Sequence, residues 1–159
     1  DYAGHDAMMN AILEMADKKL QITLALSLHA SSQEKRLELM PVANKYEIHE
    51  VIEACRYYFE QTGRRVTFEY SLVGGVNDTE EDVRRLVELI HGMNCHVNLI
   101  PVNPIKERSY VQPDHEAILK FKNRLEKNAI QVTIRREMGR DIDGACGQLR
   151  KRYISHAER

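Results

Sequence analysis

The sequence lacks several features that would assign a protein to a class at once. Its 159 residues include no tryptophan, only three cysteines and no run close to the ~18 consecutive apolar residues that a membrane helix needs. The N-terminus has neither the charged nor the apolar region of a secretory signal, so we expect a cytosolic protein. Cys55, Cys95 and Cys146 are too few and too widely spaced for a disulfide framework or a CxxC metal site.

The charge of the chain is nearly balanced, with a formal net charge of -1 at pH 7. This balance excludes a globally basic nucleic-acid binder, so any RNA contact must come from a local patch. Residues 135–152 form such an arginine patch, because they hold six Lys or Arg against three Asp or Glu, a local balance of +3. Alternatively, the arginine patch is a solvent-exposed surface that binds no RNA. The length and the 43% hydrophobic content suit a single domain or part of a larger one.

Short segments of β-forming residues alternate with segments of helical periodicity. The strands are predicted at 22–29, 66–73, 96–103 and 130–136. The helices are predicted at 5–18, 48–59, 83–90 and 118–125. Gly63 follows the second helix, Thr79 can cap the third, and Pro113 suits the first turn of the fourth. Strands separated by helices of this length predict an α/β fold of βαβ units, with parallel strands and right-handed crossovers.

The predicted strands are apolar on one face and polar on the other. In the first strand, for example, Leu26 and Leu28 alternate with Ser27 and His29. A sheet covered by helices on both faces would be apolar throughout, so the alternation indicates a partial barrel with outer helices and a polar lumen. A one-sided antiparallel sheet would show the same alternation, although the intervening helices argue against it. Four strands cannot close a barrel.

The ligand site of a parallel α/β fold lies at the C-terminal ends of its strands. Here that edge holds Ser27, Leu28 and His29, then the loop 74–78, then Asn103 with Pro104, and finally the loop that carries Cys146. The glycine pair in the loop lacks a P-loop lysine, which favours a plain turn over a phosphate cradle. His29 can either contact a ligand or simply cap the strand end through hydrogen bonds.

The three cysteines lie in different settings. Cys146 lies between an alanine and a glycine after the last strand, within the arginine patch, where positive charge favours the reactive thiolate. Taken alone, it could also be an inert thiol, as most lone cysteines are. Cys55 lies on the apolar stripe of a helix and Cys95 at the N-terminal start of a strand, so we expect both to be core residues.

Several blocks of the sequence, in order, carry a resemblance to a known family. They are SLHA at 27–30, GRRVTFEY at 63–70, GVND at 75–78, CHVNLIPVNP at 95–104 and DIDGACGQL at 141–149. Over residues 20–152 the chain resembles the C-terminal half of the RlmN/Cfr-type radical S-adenosylmethionine RNA adenine methyltransferases. The resemblance implies a partial (βα) radical-SAM barrel over 20–159, preceded by an unassigned lead-in helix at 1–19.

The resemblance also implies a reaction and a set of site residues. A 4Fe-4S cluster and S-adenosylmethionine would serve an intact enzyme that methylates C2 of an adenosine in 23S rRNA, with tRNA as a further candidate substrate. Cys146 matches the cysteine that carries the methyl group during the reaction. Ser27, Leu28, His29 and Asn103 match positions that contact S-adenosylmethionine.

The cluster motif CxxxCxxC of that family is absent from this sequence. We therefore expect the chain to hold no metal ligands, to be a fragment without the N-terminal half, to be inactive alone, and to self-associate. Three alternatives stay open. They are a Cfr-like enzyme acting on adenine C8, a small (βα)-barrel lyase or isomerase using Glu69 and His29, and an RNA-binding accessory domain without catalysis that uses the arginine patch.

Overall fold

A computed structural model describes residues 2–41, 45–102 and 110–135 of the chain. Within them lie five helices and four strands. The helices are α1 Tyr2–Asp17, α2 Gln33–Leu39, α3 Ile48–Thr62, α4 Glu80–Ile90 and α5 His115–Lys127. The strands are β1 Ala25–Ser27, β2 Val66–Leu72, β3 Cys95–Pro101 and β4 Gln131–Ile134.

The four strands form one parallel sheet in the order β1-β2-β3-β4. Leu26 pairs with Phe68, Phe68 with Val97, and Val97 with Val132, so that these four residues form one row across the sheet. The parallel arrangement confirms the predicted βαβ units, and the antiparallel alternative is wrong. Each neighbouring pair of strands is joined through at least one helix, which is the connection that parallel neighbours need.

The two faces of the sheet differ as the alternation predicts. Along β2 and β3, buried residues alternate strictly with partly exposed ones. The buried face packs against the helices in one hydrophobic core, where the rings of Tyr70 and Phe121 lie 5.3 Å apart. Burying side chains of this size contributes roughly 1.5 to 3 kcal/mol each. The opposite face carries the partly exposed side chains of these strands and is hereafter called the polar face.

Two of the three helix boundaries predicted from capping residues are confirmed. Gly63 ends α3 in the left-handed conformation with φ 68°, and Thr79 begins α4 in a reciprocal capping box with Asp82. Pro113 differs from the prediction, because it precedes the helix. Asp114 is the N-cap of α5, since its side chain accepts a 2.7 Å hydrogen bond from the backbone N–H of Ala117.

Strand β1 is shorter than the predicted segment 22–29. Three residues before β1 begins, the carbonyl of Ile22 accepts hydrogen bonds from Tyr58 Oη at 2.6 Å and Arg64 Nε at 2.8 Å. At its end, His29 adopts φ 61°, which turns the backbone out of the extended conformation. The strand therefore has three residues with ladder geometry, fixed at one end by side chains and at the other by a left-handed turn.

Two helices lie outside the alternation of strand and helix. Helix α1 packs against α3, with Ile12 and Ala16 in the core and Tyr57 Oη donating a 2.6 Å hydrogen bond to Asp17 Oδ1. Helix α2 was not predicted, because its only buried side chain is that of Arg36 and it has no apolar stripe. Among the described residues no helix is long and apolar enough to cross a membrane.

Candidate functional site at the end of the first strand

The carboxyl end of β1 places Ser27, Leu28 and His29 beside Glu69 of β2. The backbone N–H groups of Leu28 and His29 both donate to the carbonyl oxygen of Glu69, each at 3.0 Å. The exposed hydroxyl of Ser27 donates a 3.4 Å hydrogen bond to Glu69 Oε2 on the polar face. Leu28 is completely buried, backbone included, and its N–H is already bonded to the Glu69 carbonyl, so its side chain supports the strand end from the core.

The imidazole of His29 takes part in the sheet itself. Its Nδ1 accepts a 3.0 Å hydrogen bond from the backbone N–H of Ser71. In a parallel ladder that continued past β1, the carbonyl of Leu28 would accept this N–H, so the ring replaces a backbone group. An accepting Nδ1 carries no proton, which leaves the proton of the neutral ring on Nε2.

The surroundings of His29 favour its neutral form. Burial lowers the pKa of His29 below 6.5, the nearby Glu69 carboxylate opposes this, and the Arg36 guanidinium lowers the pKa further. Protonation would also place a proton on Nδ1 against the Ser71 N–H and break that hydrogen bond. His29 at neutral pH is therefore a hydrogen-bond donor through Nε2.

Asn77 lies behind the strand end, in the loop 74–78 that the sequence places at the ligand edge, but the sequence did not single out this residue. Its side chain is completely buried, and Nδ2 donates to the carbonyl oxygens of His29 at 2.9 Å and Ser71 at 2.6 Å. Its Oδ1 accepts a 2.8 Å hydrogen bond from the backbone N–H of Val73. The loop after β2 is thereby tied to the residue at which β1 ends.

Asp82, in the first turn of α4, makes a second connection between the segments that follow β1 and β2. It is fully buried, and its Oδ1 accepts hydrogen bonds from Ser31 Oγ at 2.6 Å and Lys35 Nζ at 2.8 Å. Oδ2 accepts a 2.6 Å hydrogen bond from Thr79 Oγ1. Burial by itself would raise the pKa of Asp82, but the hydrogen bonds from Lys35, Ser31 and Thr79 outweigh it and keep the pKa below its usual value.

The loop with the glycine pair is a turn. The N–H of Gly75 donates a 3.0 Å hydrogen bond to Asp78 Oδ1, and Gly75 has φ 75°. Gly74 lies against Val111, whose carbonyl oxygen accepts its N–H at 2.8 Å and would lie 3.1 Å from an added Cβ. The predicted plain turn is confirmed, because the Gly75 N–H is already used within the loop.

The polar face extends from the strand ends towards the strand starts. His96 Nε2 and Thr133 Oγ1 lie 2.8 Å apart, and Thr133 Oγ1 donates to Asn98 Oδ1 at 3.2 Å. The Thr133 hydroxyl has one proton, so His96 Nε2 must donate to it and carries the proton of the neutral ring. Burial, with a smaller contribution from Arg65, lowers the pKa of His96 and favours this neutral ring.

The other predicted site residues fall in different places. Asn103 and Cys146 lie outside the residues that the structure describes, as does nearly all of the arginine patch. Cys55 and Cys95 are buried free thiols, which confirms their assignment to the core. Burial raises the pKa of Cys55 to about 12 and that of Cys95 to about 11.

The described residues do not fit an iron-sulfur cluster. No group of three or more His, Cys, Asp or Glu side chains within them could hold a metal ion. Both described thiols belong to the hydrophobic core, one on α3 and one at the start of β3. A groove of about 450 Å³ lies among α2, α3 and α4, and its lining includes none of Ser27, Leu28 and His29.

Comparison with known proteins identifies relatives of this half-barrel. No protein-family model matches the chain. The chain is 67% identical over 141 residues to a probable dual-specificity RNA methyltransferase RlmN of Lachnospira eligens, covering 89% of this chain and 40% of that protein. It is 59% identical over 143 residues to a protein of the same name from Clostridium perfringens, covering 90% of this chain and 41% of the relative.

Solved structures give the same result. A radical SAM methyltransferase from Sphaerobacter thermophilus superimposes with a TM-score of 0.81 at 44% identity, covering 88% of this chain and 41% of that one. A domain of a pyruvate-formate lyase-activating enzyme from Bacteroides vulgatus has a TM-score of 0.55 at 14% identity, which shows likeness of fold alone. The chain is therefore a homologue of the RlmN-type radical SAM RNA methyltransferases, and it spans about 40% of the length of the relatives it matches.

Proposed function

We propose that this chain forms part of the S-adenosylmethionine site of a methyltransferase that acts on C2 of an adenosine in 23S rRNA and also on tRNA. The observation that carries the proposal is the strand end of Ser27, Leu28 and His29, where polar groups of Ser27 and His29 lie at the C-terminal edge of a parallel sheet. The relatives' name, a dual-specificity RNA methyltransferase, supports two classes of RNA substrate. Such substrates are met in the cytoplasm.

The geometry of the strand end suits a polar ligand. Neutral His29 offers an Nε2–H donor, and Ser27 offers an exposed hydroxyl. Leu28 is completely buried, so we assign it to this site on the resemblance of its motif. We assign Asn103 as a further contact on the resemblance of its motif. Together these groups would orient S-adenosylmethionine at the C-terminal ends of the strands, where parallel α/β folds bind ligands.

The chemistry divides between cofactors and protein. When bound, S-adenosylmethionine and a 4Fe-4S cluster would supply the methyl group and the radical needed at adenine C2, a carbon too unreactive for ordinary displacement. No group of three or more His, Cys, Asp or Glu among the described residues could hold a metal ion, and we expect the cluster ligands elsewhere in the intact enzyme. Cys146 would accept the methyl group on its sulfur, and the neighbouring arginines favour the thiolate that does so.

The alternatives have less support. A self-contained barrel lyase or isomerase using Glu69 and His29 needs a closed barrel, whereas the described strands form an open sheet of four. An RNA-binding accessory domain would not need the ordered strand end at His29. A C8-specific enzyme would use the same half-barrel, so only the product distinguishes it from the C2 enzyme.

Nucleoside analysis tests the proposal. The intact protein that carries this chain should be incubated with unmodified 23S rRNA and tRNA, S-adenosylmethionine and a reductant, and the digested RNA analysed by liquid chromatography and mass spectrometry. We expect 2-methyladenosine from both RNAs. Exclusive 8-methyladenosine would establish the C8 alternative, and the absence of any methylated adenosine from active cluster-loaded protein would overturn the proposal.

A further inference from the structure

We propose that Asn77 is a positioning residue, which holds His29 in the left-handed conformation that keeps its imidazole as the Nε2–H tautomer at the ligand edge. The identity of the ligand as S-adenosylmethionine rests on the proposed function. The positioning itself rests only on the contacts among Asn77, His29 and Ser71.

The chemistry of the position requires a carboxamide. Asn77 uses both protons of Nδ2 for carbonyl oxygens, those of His29 and Ser71, and uses Oδ1 for the N–H of Val73. An aspartate has the same shape but no donor, and a leucine has neither donor nor acceptor. Since the side chain is completely buried, water cannot replace a hydrogen bond that is lost there.

The conformation of His29 needs this support. For any residue other than glycine, the backbone conformation at φ 61° is less stable than the extended conformation. Surrounding contacts must therefore hold His29 there. Three contacts do so, and each fixes a different group. The N–H of His29 donates to the Glu69 carbonyl, its own carbonyl accepts from Asn77, and its Nδ1 accepts from the Ser71 N–H.

Asn77 also holds the partner of the imidazole. The same amide group that binds the His29 carbonyl binds the carbonyl of Ser71, the residue whose N–H bonds the ring. Loss of the amide therefore releases both ends of the contact between His29 and Ser71. The expected consequence is a ring that samples both tautomers and both protonation states, instead of one fixed donor.

Nuclear magnetic resonance of histidine nitrogens tests this inference in the intact protein labelled with 15N-histidine. Wild-type His29 should show the shift pattern of a protonated Nε2 and an unprotonated Nδ1 at neutral pH. In Asn77→Ser the two nitrogen shifts should move towards each other as tautomers mix, and the pKa of His29 should rise towards 6.5. Asn77→Asp, which retains the acceptor for Val73, should mix the tautomers in the same way.

Asn128→Ser is the matched control. Asn128 also donates Nδ2 to a carbonyl oxygen, that of Arg124 at 2.8 Å, but on the exposed end of α5. Its substitution should leave the His29 signals unchanged. A protonated Nδ1 in wild-type protein would overturn the inference even if no Asn77 variant folds, as would an unchanged His29 pattern in folded Asn77→Ser.

Calorimetric titration with S-adenosylmethionine separates this inference from the proposed function. Asn77→Ser should weaken binding by about tenfold, the effect of losing one well-placed hydrogen bond, while Asn128→Ser binds as wild type does. If cluster-loaded wild-type protein does not bind S-adenosylmethionine, the proposed function fails, and the tautomer measurement still decides whether Asn77 positions His29. Mixed tautomers together with unchanged affinity would remove the link between Asn77 and the ligand.

Discussion

The backbone N–H of Ser71 donates a 3.0 Å hydrogen bond to Nδ1 of His29, although 42 residues separate them in sequence. The contact continues the edge of the sheet after β1 has ended, with a side chain in place of a carbonyl group. It also sets the protonation of the ring. One hydrogen bond thus links the end of β1 to the protonation of His29 in the candidate site.

The pH dependence of stability should report on His29. Its pKa is lowered in the folded chain, so the unfolded chain binds more protons at pH values between the folded pKa and 6.5. The stabilisation is complete above pH 6.5 and is lost as pH falls through the folded pKa. Urea unfolding followed by circular dichroism should show a shallower loss of stability on acidification in His29→Gln than in wild type.

His96 is the control for that measurement, since its pKa is also lowered by burial and its contribution has the same sign. The His96→Gln variant should retain the pH dependence that belongs to His29, and the double variant should show the least. Identical pH profiles for wild type and His29→Gln would contradict a lowered pKa at His29.

The two core cysteines should not react with thiol reagents in the folded protein, and neither should be needed for methylation. With pKa values raised to about 12 and about 11, Cys55 and Cys95 hold almost no thiolate near neutral pH. Ellman's reagent should modify neither thiol in native protein and both in urea. Cys55→Ala should lower the free energy of unfolding by the order of 1 kcal/mol and leave methylation largely intact. Rapid modification of either thiol in folded protein would contradict their burial.

Asp82 should stabilise the connection between the two loops behind the site. Asp82→Asn removes the charge that Lys35 pairs with and should lower the free energy of unfolding by about 1 to 3 kcal/mol. Its pKa is below 3.8, so its contribution is complete above pH 3.8 and is lost as pH falls through the folded pKa.

Glu81→Gln is the comparison for Asp82, because Glu81 pairs with arginines on the exposed surface of the same helix. Its effect on the free energy of unfolding should be smaller than that of Asp82→Asn, because solvent and salt screen exposed ion pairs. Equal effects of the two substitutions would mean that the buried network of Asp82 contributes no more than a surface ion pair does.

The 159-residue chain by itself should contain no stoichiometric iron and should bind S-adenosylmethionine weakly or not at all. Half of a site keeps part of the contact energy and still incurs the whole cost of association. Among the described residues β1 and β4 are the outer strands of the sheet, and outer strands favour self-association, which sedimentation analysis would detect. Iron with acid-labile sulfide in the purified chain would contradict the first expectation, and a strictly monomeric chain the second.

The strands and helices with a regular apolar periodicity were predicted from the sequence. The alternation in β2 and β3 and the stripes of α3, α4 and α5 gave the parallel half-barrel, because burial acts on each element in a regular pattern. Helix α2 was missed, since Arg36 is the one side chain it buries. The shortness of β1 was missed because a histidine seldom adopts a positive φ.

The supporting residues of the site were not predictable in the same way. Asn77 lies two residues after a glycine pair and precedes an aspartate, a composition typical of a turn, and it does lie in the loop between β2 and α4. What sequence could not show is that its side chain points inward and binds the carbonyls of two other segments. That depends on contacts 48 and 6 residues away along the chain, which no local pattern encodes.

The most direct test of the proposed function concerns Cys146. After the intact enzyme is incubated with S-adenosylmethionine and reductant, peptide mass spectrometry should find a methyl group on Cys146 and none on Cys55 or Cys95, whose raised pKa values disfavour the thiolate. The Cys146→Ala variant should fold as wild type does and yield no methylated adenosine. RNA methylation that persists in Cys146→Ala would contradict the account.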